Sequence, residues 1–211
     1  MSMPSSESLR ELLGRLTVIP VLTADSVEAG VAVCQALQAG GIHGVEITLR
    51  TPAALDVIRA VQERLDDFLV GAGTVKTTND LRELKNLDVA FAVSPGLTRR
   101  LSDCAFELDV PLLPGVATAS EVLAGLEAGR DFFKLFPAQA AGGIPLLKSL
   151  AAPFAEVKFC PTGGIGADNF REYLALPNVV CVGGSWMVGA DLLTAGDWGQ
   201  VERLSRACFD R

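Results

Sequence analysis

Short apolar runs alternate with longer amphipathic stretches along this chain, and the apolar runs recur about every 20 to 26 residues. Runs of the first kind read as buried strands and the stretches between them as helices. The strands expected are Thr17–Thr23, His43–Leu49, Phe68–Ala72, Asp88–Val93, Pro111–Leu113, Asp131–Phe136, Glu156–Cys160 and Asn178–Val182. Helices are expected over Ser26–Gln38 behind an Asp-Ser cap, and over Pro52–Leu65 with Thr51 as N-cap and proline first. Two more are expected over Ser120–Ala128, ahead of the stop at Gly129, and over Ala167–Leu174. Eight strands separated by helices at that spacing predict an α/β fold, a parallel (β/α)8 TIM barrel. Ser6–Leu13 would be an extra N-terminal helix under the barrel floor, and Asp197–Phe209 a closing helix. The competing open doubly wound sheet calls for G-x-G-x-x-G after its first strand, and Pro20-Val21-Leu22-Thr23-Ala24-Asp25 holds no glycine. Without a linker or low-complexity segment, residues 1–211 read as a single barrel domain.

Hydrophobic residues make up 49% of the 211, with 21 glycines and 11 prolines, enough for a large core with many tight turns. The net charge of −7, with no basic stripe, argues against a nucleic-acid partner. No run approaches the roughly 18 apolar residues of a membrane span. The start, Met1-Ser2-Met3-Pro4-Ser5-Ser6-Glu7, lacks the basic and apolar regions of a signal peptide. The five cysteines (Cys34, Cys104, Cys160, Cys181 and Cys208) are scattered and form no C-x-x-C, which reads as reduced thiols in a cytoplasmic protein. Catalytic zinc sites usually draw on two or three histidines, and this chain has one, so a histidine-rich metal centre cannot be built. That residue, His43, opens an apolar strand and reads as structural.

Parity along the strands then singles out a few polar residues. In Gly44-Val45-Glu46-Ile47-Thr48-Leu49-Arg50, the apolar Val45, Ile47 and Leu49 share the face that packs on helices. Glu46, Thr48 and Arg50 share the other, which points into a lumen normally filled by branched apolar side chains. The alternative is a structural Glu–Arg pair that holds the barrel closed. Lys134 lies in Asp131-Phe132-Phe133-Lys134-Leu135-Phe136-Pro137-Ala138 and shares a face with Phe132 and Phe136. Burial among such groups disfavours an ammonium, and a neutral lysine is a nucleophile able to form a Schiff base with a carbonyl compound. The bland alternative ends the strand there and lets the amine reach water. Lys158, in Val157-Lys158-Phe159, is the rival nucleophile, with Glu156 two residues away as a partner that would keep it charged; Lys76 reads as a loop residue.

Two glycine pairs follow successive strands: Pro161-Thr162-Gly163-Gly164-Ile165-Gly166-Ala167-Asp168-Asn169 and Val182-Gly183-Gly184-Ser185-Trp186. Paired glycines let backbone N–H groups approach an anion, and these are the two loops that most often bind phosphate in a (β/α)8 barrel. Either pair alone could simply permit a turn. No G-x-x-x-x-G-K-[ST] occurs, so one phosphoryl group fits better than a nucleoside triphosphate.

Taken together, these segments resemble the 2-keto-3-deoxy-6-phosphogluconate (KDPG) and 4-hydroxy-2-oxoglutarate (KHG) aldolase family. The likeness is carried by Val18-Ile19-Pro20-Val21-Leu22, Val45-Glu46-Ile47-Thr48-Leu49-Arg50-Thr51, Gly71-Ala72-Gly73-Thr74-Val75 and Ser94-Pro95-Gly96. It continues through Leu113-Pro114-Gly115-Val116-Ala117-Thr118, Lys134-Leu135-Phe136-Pro137-Ala138, Cys160-Pro161-Thr162-Gly163-Gly164-Ile165 and Gly183-Gly184-Ser185-Trp186. The resemblance implies a class I aldolase that needs no metal or other cofactor and splits KDPG into pyruvate and glyceraldehyde 3-phosphate. It assigns Lys134 as the Schiff-base lysine and Glu46 as the proton-transfer carboxylate. Arg50 and Thr74 would hold the pyruvate carboxylate. Pro95, Phe136 and Thr162 would line the pocket, and Gly163, Gly164, Gly184 and Ser185 would bind the distal phosphate. It further implies a cytoplasmic homotrimer serving the Entner–Doudoroff route, with partners limited to the phosphorylated keto acid and pyruvate, and no membrane. Leu135 departs from the aromatic of many relatives, on the face turned away from the lumen. Thr162 agrees with the gluconate-type enzymes. The residues by themselves also admit a sugar-phosphate isomerase or epimerase with Glu46 as base, and a non-catalytic phosphometabolite binder.

Overall fold

A computed structural model describes residues 6–210 of the chain; residues 1–5, on which the reading of a missing leader partly rests, and residue 211 lie outside it. The chain begins with α1 (Ser6–Gly14), β1 (Val18–Leu22), α2 (Val27–Ala39), β2 (Gly44–Thr48), α3 (Ala54–Arg64) and β3 (Leu69–Gly73). It continues through α4 (Thr78–Asn86), β4 (Phe91–Val93), α5 (Arg99–Glu107), β5 (Leu112–Leu113), β6 (Gly115–Val116) and α6 (Ala119–Glu127). Then follow β7 (Phe132–Leu135), α7 (Gly143–Ala151), β8 (Lys158–Pro161), α8 (Phe170–Leu174), β9 (Val182–Gly184), α9 (Ala190–Ala195) and α10 (Trp198–Arg206).

All strand pairings are parallel. One ladder runs β5-β4-β3-β2-β1-β9 and a second runs β6-β7-β8. Single parallel bridges, Phe159 to Val179 and Thr162 to Gly183, link the two ladders on the β8 side. The result is a curled parallel sheet wrapped in helices, an α/β architecture.

Three local expectations are corrected. The run expected as Pro111–Leu113 is two short strands, β5 and β6, divided at Pro114. Proline brings no N–H to a ladder; its carbonyl accepts from Lys134 N at 2.9 Å, and the chain changes ladders there. Thr51 does not cap α3, which starts at Ala54 with no side-chain cap. Its hydroxyl instead donates to the Ala24 carbonyl at 2.7 Å and ties the end of β2 to the end of β1. The last strand lies later than expected, at Val182–Gly184, because its two glycines extend the ladder against Ile19 and Pro20 rather than ending it. Ser26 does cap α2, accepting from Ala29 N at 3.2 Å.

Strand parity divides the core in two. Val45, Ile47, Phe133 and Leu135 face outward into the large layer shared with the helices. Ile19, Phe91, Val93, Leu113, Phe132, Cys160 and Cys181 face inward, and Leu9, Leu13 and Leu16 close over them from α1 and its exit turn. Size is matched across the ladder: Gly71 pairs with Phe91, whose ring fills the space a Cβ would need. Of these, Ile19, Phe91, Phe132 and Cys181 lie in or just ahead of the amino-terminal halves of their strands and plug that end. Each fully buried aliphatic or aromatic side chain there contributes about 1.5–3 kcal/mol. The Cys181 thiol in this plug is pushed well above the ordinary thiol range, first by its hydrogen bond to Cys160 and then by burial. All five cysteines are free. No helix among the described residues is long and apolar enough to cross a membrane.

Candidate active site

The carboxyl ends of the strands stay open, and there the inward-facing positions turn polar. Lys134 of β7 and Glu46 of β2 sit 88 positions apart in sequence and on different ladders, yet meet across the interior. The Lys134 ammonium donates to Glu46 Oε1 at 3.1 Å and to Oε2 at 3.4 Å, with both side chains almost wholly buried. It also lies 5.2 Å from the centroid of the Phe136 ring, within the range of a cation–π contact. Room for the carboxylate comes from Gly73, the register partner of Thr48, because a Cβ there would overlap Glu46.

Arg50, one turn of chain beyond β2, donates through Nε to Thr74 Oγ1 at 3.0 Å. Thr74 holds φ at +61°, a left-handed conformation costing a β-branched residue on the order of 1–3 kcal/mol. That turn is what brings its hydroxyl to the guanidinium.

The Thr162–Gly166 loop follows β8, and its glycines are needed where they stand. Gly163 has φ +100° and Gly164 φ +76°, and a side chain on Gly164 would run into Gln139. Main-chain bonds pin the loop to the segment after β7, with Ala138 N donating to Thr162 O at 2.8 Å and Gln139 N to Gly163 O at 3.0 Å. Asn169 clamps it from below, donating to Gly164 O and accepting from Gly166 N. Across the seam, Gly183 lacks the Cβ that would strike Thr162. The short α8 begins only at Phe170, whereas the first residue of α9, Ala190, borders the opening directly.

Together these groups enclose a cleft of about 370 Å³. Of the residues singled out in the sequence, Arg50, Lys134, Phe136, Thr162, Gly163, Gly164, Gly184 and Ser185 border it. Glu46 stands behind Lys134 and Thr74 behind Arg50, so neither borders the cleft itself. Pro95 does not reach it; this residue is exposed at the end of β4, with its backbone against Gly115. Sequence reading missed Val21, Thr23, Ile165, Val188, Gly189 and Ala190. Two of these were within reach of the parity rule: Val21 and Thr23 continue the inward face of Ile19. The rival Lys158 points away and donates to the Pro177 carbonyl at 2.9 Å, rather than pairing with Glu156. His43 precedes β2 at the plugged end of the sheet, and Lys76 lies beside Thr77 ahead of α4.

Among the described residues no carboxylate borders the cleft, while Arg50, Lys134 and the twin-glycine turns do. Such a lining favours a ligand anionic at both ends. The amine beside a buried carboxylate equips one end for carbonyl chemistry and proton transfer. Among the described residues, no three His, Cys, Asp or Glu side chains are grouped so as to hold a metal ion.

The chain is similar to known proteins over nearly its whole length. The sequence model of the family described as KDPG and KHG aldolase matches residues 9–204. The KHG/KDPG aldolase of Escherichia coli strain K12 is 45% identical over 203 residues, 96% of this chain and 95% of that protein. A crystal structure of KDPG aldolase from Legionella pneumophila, with pyruvate captured as a covalent carbinolamine intermediate, is 44% identical and superposes with a TM-score of 0.91. It covers 94% of this chain and 96% of that one. The KDPG aldolase of Zymomonas mobilis ZM4 with 3-phosphoglycerate is 40% identical with a TM-score of 0.89, covering 100% of this chain and 98% of that one.

Proposed function

This chain belongs to the KDPG and KHG aldolase family, and on that premise we propose that Lys134 is the Schiff-base nucleophile of a class I aldolase. The enzyme splits KDPG into pyruvate and glyceraldehyde 3-phosphate, with 4-hydroxy-2-oxoglutarate as a second substrate. The observation that carries the reading is the buried Lys134–Glu46 contact of 3.1 Å beside a cleft that two glycine turns also line.

The chemistry follows from that contact. Nζ must shed a proton before it attacks the 2-keto carbon, and Glu46 is the group within reach to take it. Glu46 then returns a proton to the carbinolamine hydroxyl, which leaves as water and gives a protonated imine. Once ionised again, the carboxylate removes the proton of the C4 hydroxyl as the C3–C4 bond breaks and its electrons enter the imine. The aldehyde departs, Glu46 delivers the proton to the enamine carbon, and water releases pyruvate from Lys134. Arg50, oriented by Thr74, holds the substrate carboxylate; Phe136 and Thr162 form the walls. Gly163, Gly164, Gly184 and Ser185 cradle the phosphate.

The same reading extends to architecture. The two ladders form one closed (β/α)8 barrel and a single domain, with α1 as the added N-terminal helix. The bridges between β8 and β9 support closure on one side, and the Lys134–Glu46 contact across the interior supports a shared lumen. A homotrimer is part of the same reading, and the half-exposed Phe106 and Leu123 are apolar surface that assembly would cover. Free thiols throughout suit the cytoplasm.

Borohydride reduction in the presence of pyruvate tests the central assignment. The expected product is one covalent adduct per chain, mapped by peptide mass spectrometry to Lys134. An adduct on Lys158, or none, overturns it. Gly73→Ala is a second test, since its new Cβ pushes the Glu46 carboxylate off Nζ. A displacement near 1 Å costs on the order of 10²-fold in rate, so kcat/KM for cleavage should fall about a hundredfold with a native circular dichroism spectrum. Unchanged turnover would count against Glu46 as the proton carrier.

A further inference from the structure

The aldol steps leave unused one hydroxyl pair, of which one member borders the cleft. Thr23 Oγ1, at the open end of β1, lies 2.7 Å from Thr48 Oγ1. Thr48 is fully buried between Glu46 and Arg50, and no other side-chain bond to its hydroxyl is formed among the described residues. This asymmetry sets the direction of the bond. Were Thr23 the donor, the Thr48 proton would be buried without an acceptor, the more costly arrangement. Thr48 therefore donates, and the Thr23 proton is left aimed at the cleft it borders.

The position of Thr23 selects what that proton meets. Strand β1 is hydrogen-bonded between β2, which carries Glu46, and β9, which carries Gly184. Val21 is in register with Glu46 and Pro20 with Gly184. Thr23 extends the same inward face as Val21, so it stands between the carboxylate that serves C4 and the cradle that serves the phosphate on C6. Resting on the aldolase reading, we propose that Thr23, oriented by Thr48, binds the C5 hydroxyl of the substrate. It thereby selects acceptor aldehydes that carry a hydroxyl next to the carbonyl.

The experiment is aldol addition of pyruvate to two aldehydes, glyceraldehyde 3-phosphate and its deoxy analogue 3-oxopropyl phosphate. Wild type should favour the hydroxylated aldehyde in kcat/KM by about tenfold, the worth of one well-made neutral hydrogen bond. Thr23→Val should bring that ratio to about one, Thr23→Ser should restore it, and borohydride trapping of pyruvate should be unchanged in both. The ratio is the readout because valine also strips Thr48 of its partner, a loss shared by the two aldehydes. An equal fall on both aldehydes would mean that Thr23 only ties β1 to β2, and an unaltered ratio in Thr23→Val would likewise overturn the proposal. Wild type that traps pyruvate yet shows no preference sinks the Thr23 assignment alone. Wild type that neither traps pyruvate nor adds it to either aldehyde sinks the aldolase reading and this proposal with it.

Discussion

Replacing Lys134 with methionine is expected to abolish aldol cleavage, lowering kcat on the order of 10⁴- to 10⁶-fold, as loss of a covalent nucleophile does elsewhere. Methionine keeps the length and apolar stem of the lysine, so the walls formed by Phe132 and Phe136 remain filled. What it removes is the amine that Glu46 contacts. The same substitution should therefore be felt in stability, because Glu46 is left buried without its hydrogen-bonding partner. Removing one member of a buried ion pair costs about 3–5 kcal/mol. For a chain of this size that is a clear drop in the denaturant midpoint without loss of the native fold at ambient temperature. The double variant Lys134→Met with Glu46→Gln should recover part of that stability and none of the activity. Near-normal turnover by Lys134→Met would end the Schiff-base account; unchanged stability would mean that Glu46 relaxes to another partner.

Glu46→Gln carries the second large effect. Glutamine preserves the shape of the carboxylate, and its carbonyl oxygen still accepts from Lys134, so the site stays assembled. It cannot take up or return a proton. Cleavage should fall by about 10²- to 10⁴-fold, the usual worth of a general acid–base group. The informative comparison is between two partial reactions. Borohydride should still trap pyruvate on Lys134, more slowly, whereas exchange of the pyruvate methyl protons with deuterated water, followed by NMR, should nearly stop. Exchange at the wild-type rate would show that another group moves the proton at the enamine carbon.

Much of this site is legible in the sequence. A polar residue on the inward face of a buried strand stands out against its neighbours, and Glu46, Thr48, Arg50 and Lys134 all did so. The twin glycines stood out as well, since few other residues tolerate the φ values at Gly163 and Gly164. Less legible were residues whose role depends on something distant. Gly73 reads as an ordinary strand glycine until Glu46 is seen occupying the space beside it. Pro95 belongs to a motif of the resemblance and yet stands away from the cleft, because a motif records neighbours in sequence rather than side-chain reach. The Thr51 cap failed for a related reason: its hydroxyl found a carbonyl just beyond the end of β1, at Ala24, that no local rule weighs against the helix end.

The amino-acid sequence alone determined the alternation of strands and helices and the face on which each strand residue lies. Both are properties of a single backbone segment, repeating every two or 3.6 residues whatever else the chain does. Tertiary structure decided the pairings: Lys134 with Glu46 rather than with water, Lys158 with a carbonyl outside the cleft, and Thr23 with Thr48. Those depend on ladder register and on how far the sheet curls. Such quantities are set by contacts between residues far apart in the chain, which no local window contains.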